Sequence, residues 1–278
     1  MRQAVEQHTG PVSEVRSPDS GRNSELAVTL TTASGPVFCK GITTGSPLAA
    51  MHRNELTIGP HLPDELAPRL LWHVEADDWL ILGFEHLDGH HADLSPGSTD
   101  LPAVADAVAR IAAGEPPQTR PMAIQWHQAL KKELGSPPPD NADPWSETNA
   151  ELVVDWAARA PEHLDGDRLI HSDLNPANFL ITGTAKVIDW AWWRTGAAWI
   201  DPAFLTVRLI AEGHRPDAAE NWAQRFDAFA AAPPHAITSF AASLLRMWER
   251  RFATTPPTTA VRTWTRHRMS YYHALNTD

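Results

Sequence analysis

The stretch Ile170-His171-Ser172-Asp173-Leu174-Asn175-Pro176-Ala177-Asn178-Phe179-Leu180, followed by Val187-Ile188-Asp189-Trp190, decides how the rest of this chain is read. A His-x-Asp opens a loop, an Asn stands five residues beyond the Asp, and a second Asp closes a short apolar strand. Phosphoryl transfer asks for a carboxylate beside the attacking hydroxyl and for two hard-oxygen ligands to magnesium. These side chains supply that set at a suitable spacing. Asp173 is the candidate base, accepting or orienting the hydroxyl proton. Asn178 and Asp189 are the candidate metal ligands, and the amide at 178 adds no charge that would repel phosphate. His171 is grouped with the base as a hydrogen-bonding residue that holds the loop, not as a titrating catalyst.

Working toward the N-terminus, residues 11 to 42 have the β-branched and turn chemistry of a small antiparallel sheet, with Ala33-Ser34-Gly35 between two strands. Ser46-Pro47 is the expected start of one helix, which carries Glu55. Leu70–Glu75 and Trp79–Glu85 form a further hairpin around Ala76-Asp77-Asp78. Beyond His86 the pattern turns helical: 101–113, 122–134, a long helix starting at Asp143-Pro144, and most of 201–278. The expected architecture is α+β. A strand-rich N-terminal lobe with one helix (1–86) is joined near 86–88 to a larger helical lobe (87–278).

The 278 residues are enough for a sizeable core, and 42% apolar and 21% charged residues are those of a globular chain. No apolar run of membrane-spanning length and no signal peptide are evident. A net charge of -11 disfavours nucleic acid and anionic membranes as partners and leaves room for a cationic ligand. The single Cys39 excludes an intramolecular disulfide and suits the cytoplasm. Lysine occurs only at 40, 131, 132 and 186 in an arginine-rich chain, so each lysine carries more information than usual.

The His171-to-Asn178 segment with Ile188-Asp189-Trp190 resembles the catalytic and metal-binding loops of the aminoglycoside phosphotransferase family, within the protein-kinase-like superfamily. The resemblance covers roughly residues 12 to 210 and implies the two-lobed kinase-like fold, ATP and Mg2+ as cofactors, and a small-molecule hydroxyl acceptor. It implies that Lys40 contacts the nucleotide phosphates, that Glu55 pairs with Lys40, and that Ser20, Gly21, Asn23 and Ser24 belong to the nucleotide-positioning loop. Glu85 and Leu87, at the expected joint, are included among the nucleotide-binding residues. The sequence departs from the family pattern in two places. The loop keeps one glycine, and Leu205 stands where a second Asp is usual after Asp201-Pro202.

Two further groups are candidates for the acceptor. Trp190-Ala191-Trp192-Trp193 is unusually aromatic; packing accounts for one or two indoles and leaves Trp192 and Trp193 as candidate ring platforms. Asp143, Glu147, Glu151 and Asp155 recur at four-residue spacing on one expected helical face. The helix N-terminus offsets the first two, so Glu151 and Asp155 are the candidates for ligand amines. The expected reaction is transfer of the ATP γ-phosphate to a hydroxyl of a cationic acceptor of the aminoglycoside antibiotic type, by a monomer or dimer. The alternatives are a metabolite kinase of choline, homoserine or amino-sugar type, and a nucleotide-binding pseudokinase scaffold.

Overall fold

The computed structural model describes residues 1–17, 24–137, 143–252 and 255–275. Its first elements in chain order are α1 (Arg2–Thr9), β1 (Val12–Arg16), β2 (Leu26–Thr32), β3 (Gly35–Thr43), α2 (Ala49–Ile58), β4 (Leu70–Ala76), β5 (Trp79–Glu85) and β6 (His90–His91). Next come α3 (Leu101–Ala113), α4 (Met122–Leu134), α5 (Pro144–Thr148), α6 (Ala150–Arg159), β7 (Arg168–Ile170), β8 (Phe179–Ile181), β9 (Ala185–Val187) and β10 (Arg194–Gly196). The remainder is α7 (Ile200–Ala211), α8 (Pro216–Ala223), α9 (Asp227–Ala230), α10 (Pro234–Phe252) and α11 (Pro256–Leu275). The chain forms two compact units: Met1–Ala92 with Ala177–Trp193, and Asp93–Pro176 with the chain from Arg194 onward.

The first unit is built on an antiparallel sheet of order β1-β2-β3-β5-β4. Strand alternation gives it two working faces. Val28, Leu30, Val37, Cys39 and Ile81 pack with Val5 of α1, while Ile42, Leu80 and Leu82 pack with Ala49 of α2. Because Phe38, Lys40 and Ile42 share a face of β3, the pleat that buries Ile42 under α2 also delivers Lys40 there. One helix was expected here and there are two. The additional helix, α1, is mostly polar and is held by distant contacts: Val5 is buried, and His8 stacks on Trp72 at 5.6 Å. Helix α2 starts at Ala49 and not at Ser46-Pro47, because Ser46 caps a preceding turn with its Oγ accepting the Leu48 N–H. A second sheet, β6-β8-β9, brings residues 177–193 back into this unit.

The second unit combines the antiparallel pair β7–β10 with helices. Its core is aromatic: Phe240 contacts Trp126, Trp199 and Phe204 at centroid separations of 5.1–5.5 Å. Each such buried side chain contributes ~1.5–3 kcal/mol. The expected long helix from 143 is broken at Asn149, which ends α5 with φ -107° and ψ 16° and precedes α6. Among the described residues no helix is long and apolar enough to cross a membrane.

Candidate active site

In the first unit, chemistry gathers around Lys40. Its Nζ donates to both Glu55 oxygens, at 2.8 and 3.0 Å, and to Asp189 Oδ1 at 3.0 Å. Glu55 is brought from α2 and is only 5% exposed. Burial alone would pull Lys40 down, but the two carboxylates outweigh it and hold the ammonium above its ordinary value. Glu55 also accepts the Trp190 N–H at 3.1 Å, which ties α2 to the turn after Asp189. Asp189 stands in the left-handed region, φ 63°, a conformation a non-glycine residue keeps only where its surroundings fix it.

The β8–β9 hairpin brings Asn178 to the same place. Phe179 faces Val187, and the Ile188 N–H donates to the Asn178 carbonyl at 2.9 Å. Asn178 and Asp189 therefore flank the open end of one hairpin. A carboxylate and a neutral amide oxygen are hard donors suited to magnesium, which keeps most of its remaining ligands as water and substrate phosphate. The residues fit that ion.

Sequence reasoning missed His52, which lies one turn before Glu55. It is buried, and its Nε2 lies 3.2 Å from Ser24 Oγ. Burial and then the Lys40 charge lower it to about 4, with Asp189 opposing, so it is neutral at physiological pH. Its three-residue offset from Glu55 was the available signal. Ser24 is the described part of the expected nucleotide loop; Ser20, Gly21 and Asn23 lie outside the described residues. Glu85 faces Arg69, taking its backbone N–H at 3.4 Å, and Leu87 follows β5 half-buried.

The aromatic segment divides by burial. Trp190 and Trp193 are core residues, their indole N–H groups donating to the carbonyls of Val187 and Asn54 at 3.0 Å. Trp193 exposes no surface, which corrects its reading as a ring platform. Trp192 is 38% exposed and keeps that candidacy.

In the second unit, the His-x-Asp loop is held by α7. The Asp201 carboxylate accepts the His171 N–H at 2.7 Å and the Ser172 N–H at 2.9 Å. Between them Ser172 stands at φ 63°, so the clamp stabilises a strained backbone. Burial raises the Asp201 carboxyl, opposed by His171 and the two amides. His171 is fully buried and its Nδ1 accepts the Asp173 N–H at 3.3 Å, a loop-holding contact. Arg208, two turns after Asp201, places Nη2 3.4 Å from Asp173 Oδ1. Leu205 is buried core, and the clamping carboxylate is Asp201 itself.

The helix break changes the reading of the acidic face. Glu151 lies in the first turn of α6, where the helix dipole favours an anion, so it does not stand beyond the reach of a helix N-terminus. Asp155, further along and exposed, is the acid left without that offset.

The model of the phosphotransferase enzyme family matches residues 15–237. The chain belongs to that family. It is an ATP-dependent phosphotransferase with the kinase-like fold expected from sequence. Among solved structures, an APH(4)-Ia aminoglycoside phosphotransferase in ternary complex with AMP-PNP and hygromycin B is 15% identical, TM-score 0.62, covering 94% of this chain and 97% of that one. The choline kinase LicA from Streptococcus pneumoniae is 13% identical, TM-score 0.60, covering 97% and 99%. An aminoglycoside phosphotransferase from Alicyclobacillus acidocaldarius is 13% identical, TM-score 0.59, covering 100% and 95%. No curated protein matches the chain significantly.

Proposed function

We propose that this phosphotransferase moves the γ-phosphate of ATP to a hydroxyl of a small cationic acceptor, with an aminoglycoside-type antibiotic as the first choice. The observation that carries the reading is the held His-x-Asp loop: Asp173 follows a strained Ser172 whose N–H is fixed by the buried Asp201. In this reading Asp173 orients the acceptor hydroxyl and takes its proton. Lys40, kept charged by Glu55 and Asp189, presents a compact cation to the nucleotide phosphates. Asn178 and Asp189 would hold magnesium, which would supply charge neutralisation on the phosphates. His52 and Ser24 hold the base of the nucleotide loop. The net charge of -11, exposed Asp155 and exposed Trp192 favour a cation that carries a ring.

A second reading, a metabolite kinase of choline, homoserine or amino-sugar type, is favoured by the likeness to a choline kinase at the same level as to antibiotic kinases. A cytoplasmic setting is proposed from Cys39, which is buried and whose thiol burial pushes up to about 12, leaving it unreactive. The test is incubation with magnesium and ATP across aminoglycosides, choline, homoserine and neutral amino sugars, read by mass spectrometry. Phosphorylation of an aminoglycoside with high kcat/KM supports the first reading. Choline or homoserine as best acceptor moves the function to the second, and phosphorylation of none sinks both.

A further inference from the structure

Arg208 is a buried cation that the proposed reaction leaves without a task. Its side chain is 13% exposed, and Asp173 is the one carboxylate within ion-pair distance among the described residues. The contact, at 3.4 Å, is longer than the roughly 2.7–2.9 Å of a well-made charge-assisted bond. Its Nε is buried with no hydrogen-bond partner among the described residues. Opposite the carboxylate, the guanidinium carbon sits 4.9 Å from the ring centroid of Trp248 on α10, within cation–π range. A side chain kept only for packing would do better as an apolar residue, because a buried charge with an orphaned N–H costs stability.

The geometry of α7 suggests what offsets that cost. Asp201 and Arg208 are seven residues apart, which returns nearly to the same helical face after two turns. The first holds the backbone N–H groups of His171 and Ser172, and the second faces the carboxylate of Asp173. One rigid helix thus grips the loop at two points, by anion on amides and by cation on carboxylate. The same guanidinium that meets Oδ1 also packs against the Trp248 ring, so it is held by a second group as well as by Asp173.

We infer that Arg208, backed by Trp248, is a positioning residue that fixes the rotamer of Asp173 toward the acceptor hydroxyl. The inference rests on the reading of Asp173 as the base. In this unit the charged groups bearing on Asp173 include Arg208 and Asp201, of opposite sign, and His171 lies beside it in the loop.

The test compares Arg208→Met, Arg208→Lys and Trp248→Leu for kcat, KM of each substrate, the Asp173 rotamer and thermal stability. Without the guanidinium the Asp173 side chain is free to turn, so Arg208→Met should spread it over more than one rotamer. It should lower kcat roughly tenfold or more, within the range of positioned base catalysis, with KM for ATP unchanged. Arg208→Lys, which keeps the charge but loses the planar fork, should also lower kcat with KM for ATP unchanged. Trp248→Leu should lower kcat less. A purely structural Arg208 would lower thermal stability and leave kcat of the folded variant at the wild-type value, which would overturn the inference. If Arg208→Met does not fold, Arg208→Lys decides, and wild-type kcat in that variant overturns it. An NMR measurement of the Asp173 side-chain rotamer, by three-bond couplings across Cα–Cβ, separates this claim from the functional reading. An Asp173 rotamer population left unchanged by Arg208→Met sinks the positioning role whatever the enzyme turns over. A wild type that phosphorylates no acceptor sinks the functional reading on which that role depends.

Discussion

The Lys40 cluster and the Asp173 loop solve opposite problems with opposite means. Around Lys40 a charge is held by charges: one nearly buried ammonium between two carboxylates, each contact 2.8–3.0 Å. Around Asp173 the backbone is held first, by the two N–H groups on Asp201, and the carboxylate meets one guanidinium at 3.4 Å. The first arrangement keeps a cation ready for an anionic ligand and is costly to disturb, because removing one partner leaves a buried charge behind. The second keeps a carboxylate in place while leaving it 31% exposed to meet a substrate. The first region is held by ion pairs and the second by a backbone clamp, and the proposed function assigns the base to the second.

The largest effect that would break this contrast is on folding. Lys40→Met leaves Glu55 buried and uncompensated and should destabilise the protein by about 3–5 kcal/mol. The double variant Lys40→Met with Glu55→Leu should recover much of that loss without recovering transfer. Urea denaturation of the three proteins checks it, and equal losses in the single and double variants would show that the pair is not what holds α2 to the sheet.

A pH series sharpens the same region. His52 titrates at about 4 in the folded protein against an ordinary 6.5, so the unfolded chain takes up a proton that the native state refuses. Its contribution is fully present above pH 6.5 and is lost as pH falls toward 4, by about 3 kcal/mol at most. His52→Gln should flatten that part of the stability profile. Wild-type and variant profiles that run parallel between pH 7 and 4.5 would place His52 outside the buried charge cluster.

The smallest effect concerns the acidic face. Asp155→Asn should raise KM for a cationic acceptor by a few-fold at most, and Glu151→Gln by less, because the α6 N-terminus already offsets Glu151. Both effects should shrink with added salt. A KM that neither variant moves at low salt would remove α6 from the acceptor's surroundings.

What could be read from sequence followed from how local the cause was. The His171–Asn178 spacing and Asp189 are set within twenty residues, and Lys40 was marked by the scarcity of lysine and by its place in an alternating strand. The two-part α+β fold followed from the change in periodicity after His86. Long-range causes were not legible. Helix α1 rests on a His8–Trp72 stack across more than sixty residues, and Trp193 is buried by accepting partners on α2. The break at Asn149 depends on backbone angles that an acidic helical pattern does not reveal. Arg208 looked like an ordinary helix residue, although its seven-residue offset from Asp201 was there to be noticed.

The most direct test of this division of labour sets Asp173→Ala beside Asp189→Asn and measures, for each, magnesium-dependent ATP affinity and the rate of phosphoryl transfer. Asp173→Ala should bind nucleotide as the wild type does and lose ~10²- to 10⁴-fold in transfer, the span expected of a positioned base. Asp189→Asn should raise the magnesium requirement and weaken ATP binding, since a carboxylate ligand becomes an amide. Nucleotide affinity lost in Asp173→Ala, or transfer retained there above about a tenth of wild type, would contradict the account.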